Sequence, residues 1–371
     1  MGAGNCARAD RWDSLDEPVP RSVFTKVKLR LTTAISCLMK KIFPLALLCV
    51  VAQAGALPLF NDNAVIDVEL IGPIGSLIKN KNKHTELPFV LKANGVDYDV
   101  QVRVRGKSRL RVCEFPPLRF NFSNRDTEQT VFAGQDKLKL VTHCRKRTVA
   151  EADALQEFAA YRIFNLISDI GYKVRLLHIT YRDTDEHLKD EVLVRYGFLI
   201  ESQTELAERV GGHPAKVTGV SLRSLDDDQA AAVYIFQYLI GNTDWSMAKA
   251  DDDDVCCHNG DIFEIESKRF YVPYDFDLAG LVNAKYAYPD PALPIRKVTQ
   301  RMYRGYCTSR DTLQSALGIV RTRKADILGL LSEIPGLQDD ERAKSIDYLN
   351  HFFTRSEDEE KLLQSFERRC L

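Results

Sequence analysis

The sequence predicts an α+β protein with two lobes, in which a strand-rich first half with one helix precedes a mainly helical second half. Two patterns indicate this order. Before residue 201, short segments that alternate apolar and polar residues recur, as half-buried strands do. Beyond residue 201, most apolar positions follow the helical period instead. The 371 residues are 45% hydrophobic and 28% charged, which is the composition of a folded protein with a sizeable core.

The N-terminal region has the pattern of a secretory signal peptide. Met39-Lys40-Lys41 is a basic start, residues 42–51 are mainly apolar, and small residues suited to cleavage follow up to Ala56. We expect residues 1–38 to be an extension that results from a misplaced gene start and residues 39–56 to be the signal peptide. The mature protein is then secreted or periplasmic. A buried helix or a membrane anchor is the alternative, but the apolar run is shorter than a bilayer span, so we expect no transmembrane helix after cleavage.

Six cysteines remain in the expected mature chain, and an even number favours disulfides in an oxidising compartment. The pair Cys113–Cys144 flanks neighbouring strand candidates, and the pair Cys307–Cys370 brackets the C-terminal helical region. We predict these two disulfides. The adjacent Cys256-Cys257 does not match the usual spacing of zinc ligands.

The first half, residues 57–201, carries alternating segments around one helix. The predicted strands are residues 98–104, 118–122, 137–141, 176–181 and 192–200. An apolar stripe from Leu155 to Leu166 predicts a helix between the third and fourth of these strands, and Gly171 follows its end. Five basic residues between positions 103 and 111 predict either a solvated strand face or an anion-binding surface.

The second half, residues 202–371, begins with a helix over residues 226–240 that leads into Gly241-Asn242-Thr243-Asp244. A hairpin over residues 262–272 then precedes Tyr274-Asp275-Phe276-Asp277. From about residue 291 the chain is mostly helical by its periodic Leu and Ile residues.

The order of a helix, an Asp loop, an Asn, a hairpin and a second Asp suits phosphoryl transfer. That reaction needs a carboxylate to orient the attacking hydroxyl, and an Asn and an Asp to hold metal against the phosphates. Asp244 is the candidate catalytic carboxylate, and Asn259 and Asp275 are the candidate metal ligands. Oxygen ligands of this kind suit Mg²⁺ or Mn²⁺. The alternative is that both Asp residues are turn or capping residues and that Asn259-Gly260 is a hairpin turn.

Five motifs in this order resemble the CotH family of secreted, kinase-like proteins. They are Arg105-Gly106-x-Ser108, the helix Leu155–Leu166, the segment Tyr196–Glu201, Asp244-Trp245 with Asn259, and Pro273–Asp277. The resemblance covers about residues 102–281. It implies a two-lobed protein-kinase-like fold, use of ATP with Mg²⁺ or Mn²⁺, and a protein substrate in the cell envelope.

The resemblance also implies where nucleotide binds. It places nucleotide between the lobes, with Glu201 near the hinge. It also implies that a basic residue on a strand contacts the phosphates and pairs with a helix carboxylate such as Glu157. Arg119 and Lys139 are both candidates for that cation, because Pro116-Pro117 stands where the family tends to carry lysines. The run Asp251–Asp254 also lengthens the spacing between Asp244 and Asn259 relative to the family.

The leading hypothesis is therefore an exported atypical kinase that phosphorylates a protein hydroxyl. One alternative is a non-catalytic, kinase-like envelope protein that binds a protein or a polysaccharide, and another is a metal-dependent phosphohydrolase. Lys+Arg 51 against Asp+Glu 52 provides no global basic field for nucleic acid. The sequence also lacks the Gly-x-Ser-x-Gly, His-Glu-x-x-His, Walker and dinucleotide motifs, which weakens the common hydrolase and dehydrogenase classes.

Overall fold

The structure is a computed structural model that describes residues 59–122, 127–145, 149–185, 192–248, 250 and 255–371. The expected N-terminal extension, the signal peptide and the run Asp251–Asp254 lie outside these residues. The described residues belong to one compact unit.

Seven strands of the first half close into a barrel. They are β1 (Ile66–Gly72), β2 (Leu87–Ala93), β3 (Val96–Val104), β4 (Leu118–Phe122), β5 (Lys137–Val141), β6 (Val174–Asp183) and β7 (Val192–Ile200). Their spatial order is β1-β2-β3-β4-β5-β7-β6, and the parallel pairing of β1 with β6 closes the barrel. The other neighbours pair antiparallel. The alternation of apolar and polar residues along β3 buries every second side chain from Tyr98 onward, as its sequence predicts.

The prediction of a two-lobed, kinase-like architecture with a one-helix N-lobe is wrong, although helices and strands are mixed as an α+β class requires. The strand-rich half forms a closed barrel, and it contains three helices among the described residues: α1 (Ile74–Lys79), α2 (Arg109–Val112) and α3 (Val149–Ile167). The physical reason is the pairing of β1 with both β2 and β6. That closure joins segments far apart in sequence, so local periodicity does not reveal it. The predicted boundary after Glu201 falls between β7 and the next helix.

The second half contains a small sheet and mostly helices. Its elements are α4 (Gln203–Val210), β8 (Gly212–Pro214), α5 (Asp227–Ile240), β9 (Gly260–Ile265), β10 (Lys268–Pro273), α6 (Arg310–Thr322), α7 (Lys324–Glu333), α8 (Asp339–Arg355) and α9 (Glu359–Glu367). The predicted helix after Asp226 and the predicted hairpin β9–β10 are confirmed. Asp226 caps α5 by accepting a hydrogen bond from the Gln229 N–H, and Gly241 ends the helix with a φ of 67°.

Helix α3 lies between the barrel and the helical half. One apolar core fills the barrel interior, whereas the outward side chains of β5, β6 and β7, such as Val141, Leu176 and Phe198, join a second core with α3 and α5. Because α3 packs against β6, β7, α5 and α7, its buried polar side chains are held on a rigid element.

Both predicted disulfides, Cys113–Cys144 and Cys307–Cys370, are confirmed, and a third joins Cys256 to Cys257. Disulfides persist in oxidising compartments, so they fit an extracellular protein. Among the helices within the described ranges, none has the length and apolarity needed to cross a membrane.

Candidate functional site

A small cleft lies where the barrel meets α3 and the segment after β10. It is lined by the loop after β3, by Lys139 of β5, by Glu157 and Tyr161 of α3, and by Tyr274 and Asp275. The cavity volume is about 50 Å³. An ordered water needs about 10–15 Å³ of such space, so the cleft has room for roughly four waters or one phosphate-sized group.

Arg109 of α2 is buried at the base of this cleft among three carboxylates. Its Nη2 atom donates to Glu157 Oε1 and to Asp275 Oδ1, both at 2.8 Å, and its Nε atom donates to Asp277 Oδ2 at 2.9 Å. Tyr286 also donates its hydroxyl proton to Asp277 Oδ2 at 3.0 Å. Arg109 therefore joins α2, α3 and the segment after β10 through charge-assisted hydrogen bonds.

The pKa values in this network reflect burial opposed by ion pairing. Burial disfavours the charged form of Arg109, but the carboxylates of Asp277, Glu157 and Asp275 outweigh it and raise the pKa of this guanidinium. Burial raises the pKa of Glu157 to about 7 and that of Asp277 to about 6, against the opposing effect of Arg109. Arg109 therefore favours the charged forms of Glu157 and Asp277, which burial disfavours.

Besides the exposed Lys107, two half-buried cations, Arg105 and Lys139, line the cleft. In the described part of the chain, neither makes an ion pair with a carboxylate. Burial lowers the pKa of both side chains, and Arg105 lowers that of Lys139 further, although Asp261 and Asp275 act in the opposite direction. The Nζ atom of Lys139 lies 5.6 Å from the centroid of the Tyr274 ring. Two adjacent cations of this kind are suited to an anion.

Asp275 lies in the left-handed backbone region, with a φ of 60°. Its N–H donates to the Tyr161 hydroxyl at 3.0 Å, and its side chain is 40% exposed. A non-glycine residue in this region persists only where its surroundings hold it, and such residues are frequent at functional sites. Here α3, through Tyr161, and Arg109 fix the carboxylate at the cleft.

A second cluster surrounds Asp244, which follows α5. His258 Nε2 lies 2.8 Å from Asp244 Oδ1, and the amide nitrogen of Asn259 donates to Asp244 Oδ2 at 2.8 Å and to the Asp244 carbonyl at 2.7 Å. Both carboxylate oxygens are therefore held by the segment that precedes β9. The Asp244 side chain is 38% exposed, so a solvent-borne group can still reach it.

The β9–β10 hairpin connects the two clusters. Gly260 pairs with Pro273 at the open end of this hairpin, so Asn259 and Tyr274 lie side by side beyond it. The Tyr274 N–H donates to the Asn259 carbonyl at 3.0 Å. The predicted order of an Asn, a hairpin and an Asp therefore brings Asn259 close in the fold to the Tyr274-Asp275 segment.

Asn259 and Asp275 offer oxygen atoms that suit a hard divalent cation. The amide nitrogen of Asn259 is used on Asp244, and among the described residues nothing donates to its Oδ1 atom or to Asp275 Oδ2. The described residues contain no group of three or more His, Cys, Asp or Glu side chains that could hold a metal ion. A Mg²⁺ or Mn²⁺ ion at either oxygen would need most of its ligands from phosphate and water, which Mg²⁺ commonly uses.

Two of the predicted nucleotide-binding residues are engaged elsewhere. Arg119 of β4 pairs with Lys139 of β5, but the Arg119 guanidinium donates to Glu86 at 2.8 Å. Glu201 forms a two-pronged ion pair with Arg209, at 2.8 Å for each bond, and accepts from the Lys173 N–H. Of the predicted residues, the structure brings Lys139, Glu157 and Asp275 to the cleft, and Asp244 and Asn259 to the neighbouring cluster.

Sequence reasoning did not assign Arg105, Arg109 or His258 to the site. Arg105 and Arg109 belong to the basic run that was expected to be a solvated strand face or an anion-binding surface, yet β3 ends at Val104 and Arg109 is buried. The available signal was the Arg105-Gly106 motif, since Gly106 has a φ of 99° and turns the chain into the cleft. His258 could have been found from its position beside Asn259.

No protein-family model matches this sequence, and no curated protein matches it significantly.

Proposed function

We propose that this protein transfers a phosphoryl group from a metal–ATP complex to a hydroxyl group of a protein. The observation that carries the proposal is the cleft itself, where two half-buried cations without carboxylate partners among the described residues face a partly exposed carboxylate. Positioning and electrostatic stabilisation are the main demands of phosphoryl transfer, and this arrangement supplies both. The order of motifs that resembles the CotH family supports ATP as donor and a protein as acceptor.

Arg105 and Lys139 would bind the phosphate oxygens in the cleft. Arg105 is held near the cleft by its N–H, which donates to the Pro117 carbonyl at 2.8 Å. Lys139 lies on β5, whose pairing with β4 and β7 fixes the backbone from which its side chain extends. Burial strengthens the attraction of both cations for an anion, because water screens them less.

Asn259 Oδ1 and Asp275 Oδ2 would hold Mg²⁺ or Mn²⁺, and the bound ion would neutralise charge on the phosphates. Asp244 would orient the acceptor hydroxyl and receive its proton. His258 and Asn259 keep the Asp244 carboxylate in one orientation, and such preorganisation is a large part of catalysis.

A thermal-shift experiment with the full chain, ATP and Mn²⁺ tests the site. A ligand at about 100 times its Kd stabilises the fold by roughly 2.7 kcal/mol, which raises the Tm by several degrees. We expect this rise to require both ATP and Mn²⁺ and to be lost in Asp275→Ala. Asp347→Ala, on the exposed face of α8, is the matched control and should respond as the wild type does. A metal-dependent shift that survives in Asp275→Ala would refute the assignment.

A non-catalytic binding protein is the second candidate function. It is favoured by the small cavity and by Arg109, which occupies one oxygen of Asp275. Such a protein would show no shift with any nucleotide or metal, or would bind ATP without consuming it.

A further inference from the structure

We propose that the cleft binds inorganic phosphate without a metal ion, and that Asp275 selects phosphate over sulfate by accepting the proton that phosphate carries. The proposal concerns the same cleft as the proposed function, but it needs neither nucleotide nor catalysis, so the two can fail separately. It rests on an unequal set of charges, because several cations and one accessible carboxylate line a space of about 50 Å³.

The cations of the cleft provide the attraction for an oxyanion. Arg105 and Lys139 are half-buried and Lys107 is exposed, and all three line the cleft. Burial and the charge of Arg105 both lower the pKa of the Lys139 ammonium, so the two cations are close enough to repel each other. An anion bound between them would relieve this repulsion, and their partial burial reduces the screening of that attraction by water.

Asp275 is the accessible carboxylate of the cleft. Its side chain is 40% exposed, whereas that of Glu157, the other carboxylate among the described lining residues, is 2% exposed. Asp275 Oδ1 accepts a hydrogen bond from Arg109, and among the described residues nothing donates to Oδ2. The ion pair with Arg109 and the hydrogen bond from the Asp275 N–H to Tyr161 hold this carboxylate at the cleft.

The free oxygen of this carboxylate determines which oxyanion fits. An ionised carboxylate can only accept hydrogen bonds, so an oxyanion without a proton would place its own acceptor oxygens against Asp275 Oδ2 and be repelled. At neutral pH inorganic phosphate keeps at least one proton, and its P–OH group can donate to Oδ2, whereas sulfate has no proton to donate. A phosphomonoester, whose second pKa is about 6, is also mostly unprotonated at neutral pH. The cleft is therefore suited to inorganic phosphate rather than to sulfate or to a phosphorylated side chain.

Calorimetric titration of the full chain with phosphate and with sulfate tests the proposal. The titrations are made at neutral pH and constant ionic strength, with EDTA present to remove metal ions. A hydrogen bond to a charged group is strong enough to change an affinity about 10- to 100-fold, and we expect the Kd of phosphate to be lower than that of sulfate by this factor. Glycerol 2-phosphate, a phosphomonoester, should bind about as weakly as sulfate. Equal affinities for phosphate and sulfate, or no binding of phosphate, would overturn the proposal.

Two variants test whether the anion lies in this cleft. Asp275→Asn replaces the carboxylate by an amide that can donate, so it should bind sulfate at least as tightly as phosphate. Lys139→Met should weaken the binding of both anions, whereas Lys137→Met, an exposed position on the same strand, is the matched control and should bind them as the wild type does. Circular dichroism checks that each variant is folded. A folded Asp275→Asn that still prefers phosphate would overturn the role of Asp275, and the wild-type ratio of affinities decides if a variant fails to fold.

The result is separable from that of the thermal-shift experiment with ATP and Mn²⁺. A preference for phosphate without any shift by ATP and Mn²⁺ would leave this proposal standing and remove the proposed function. A shift that requires ATP and Mn²⁺, in a protein that does not distinguish phosphate from sulfate, would overturn this proposal and leave the proposed function standing.

Discussion

Replacement of Arg109 by Met should destabilise the protein strongly, because Arg109 compensates buried charge. The substitution keeps an unbranched apolar stem but removes the guanidinium. Glu157 and Asp277, at 2% and 8% exposure, would lose their ion-pair partner. Asp275 is 40% exposed and can be solvated, so most of the cost comes from the other two acids.

The magnitude follows from these contacts. Three hydrogen bonds of 2.8–2.9 Å join Arg109 to the carboxylates. Removal of one partner from a buried ion pair costs about 3–5 kcal/mol. We therefore expect the free energy of unfolding of Arg109→Met to fall by about that amount. Addition of Glu157→Gln should recover part of the loss, since the two residues interact directly, with a coupling of about 0.5–3 kcal/mol.

Urea unfolding of the metal-free protein, followed by far-ultraviolet circular dichroism, measures these changes. Arg111→Met is the matched control, because Arg111 lies on the same short helix and is exposed. A surface substitution of this kind usually changes stability by less than about 0.5 kcal/mol. If Arg109→Met loses no more stability than the control, or if Glu157→Gln adds its full cost to it, Arg109 does not compensate the buried acids.

Two other predictions concern the barrel. His143 is fully buried, neither ring nitrogen has a partner among the described residues, and burial together with Arg195 lowers its pKa from the ordinary 6.5 to about 3. At pH 5 the unfolded chain protonates His143 but the folded protein does not, so the free energy of unfolding should fall by about 2 kcal/mol between pH 7.5 and pH 5. Urea unfolding at the two pH values measures this fall, and His143→Leu should remove the part of it that His143 causes. An unchanged slope would show that His143 accepts a proton in the fold. Gly197→Ala should lower the free energy of unfolding by about 1–3 kcal/mol, because the added Cβ would lie 2.7 Å from the Val141 carbonyl oxygen. Gly318→Ala, in open space on α6, should raise it by about 0.5–1 kcal/mol in the same assay. Equal effects at the two glycines would contradict the close packing of β7 on β5.

Local periodicity predicted the elements whose partners are near in sequence. The hairpin β9–β10 and the buried helix α5 have their expected bounds within a few residues, because alternation and capping are local signals. Closure of the barrel was not predictable in this way. It depends on β1 pairing with β6, and nothing local in either strand specifies a partner so distant in the chain.

The candidate site shows the same division. Local pattern was enough to select three residues: Asp244 follows a helix, Asn259 precedes a hairpin, and Asp275 follows that hairpin. The fold brings Asn259 into contact with Asp244 and with Tyr274, the neighbour of Asp275. The place of Arg109 depends on Asp277, 168 residues away, so its burial could not be read from the basic run that contains it. Glu201 was assigned to the nucleotide site, but its carboxylate forms an ion pair with Arg209 of α4 instead. The strand pattern that ends at Glu201 did not indicate this partner.

Transfer of labelled phosphate tests the central claim most directly. The full chain is incubated with γ-labelled ATP, Mn²⁺ and a protein extract of the cell envelope, beside Asp244→Asn as the catalytic variant. We expect label on protein with the wild type and little or none with Asp244→Asn. Release of labelled phosphate to water alone would indicate a phosphohydrolase. Bound but unconsumed ATP, equal in both proteins, would contradict the claim that this cleft transfers a phosphoryl group.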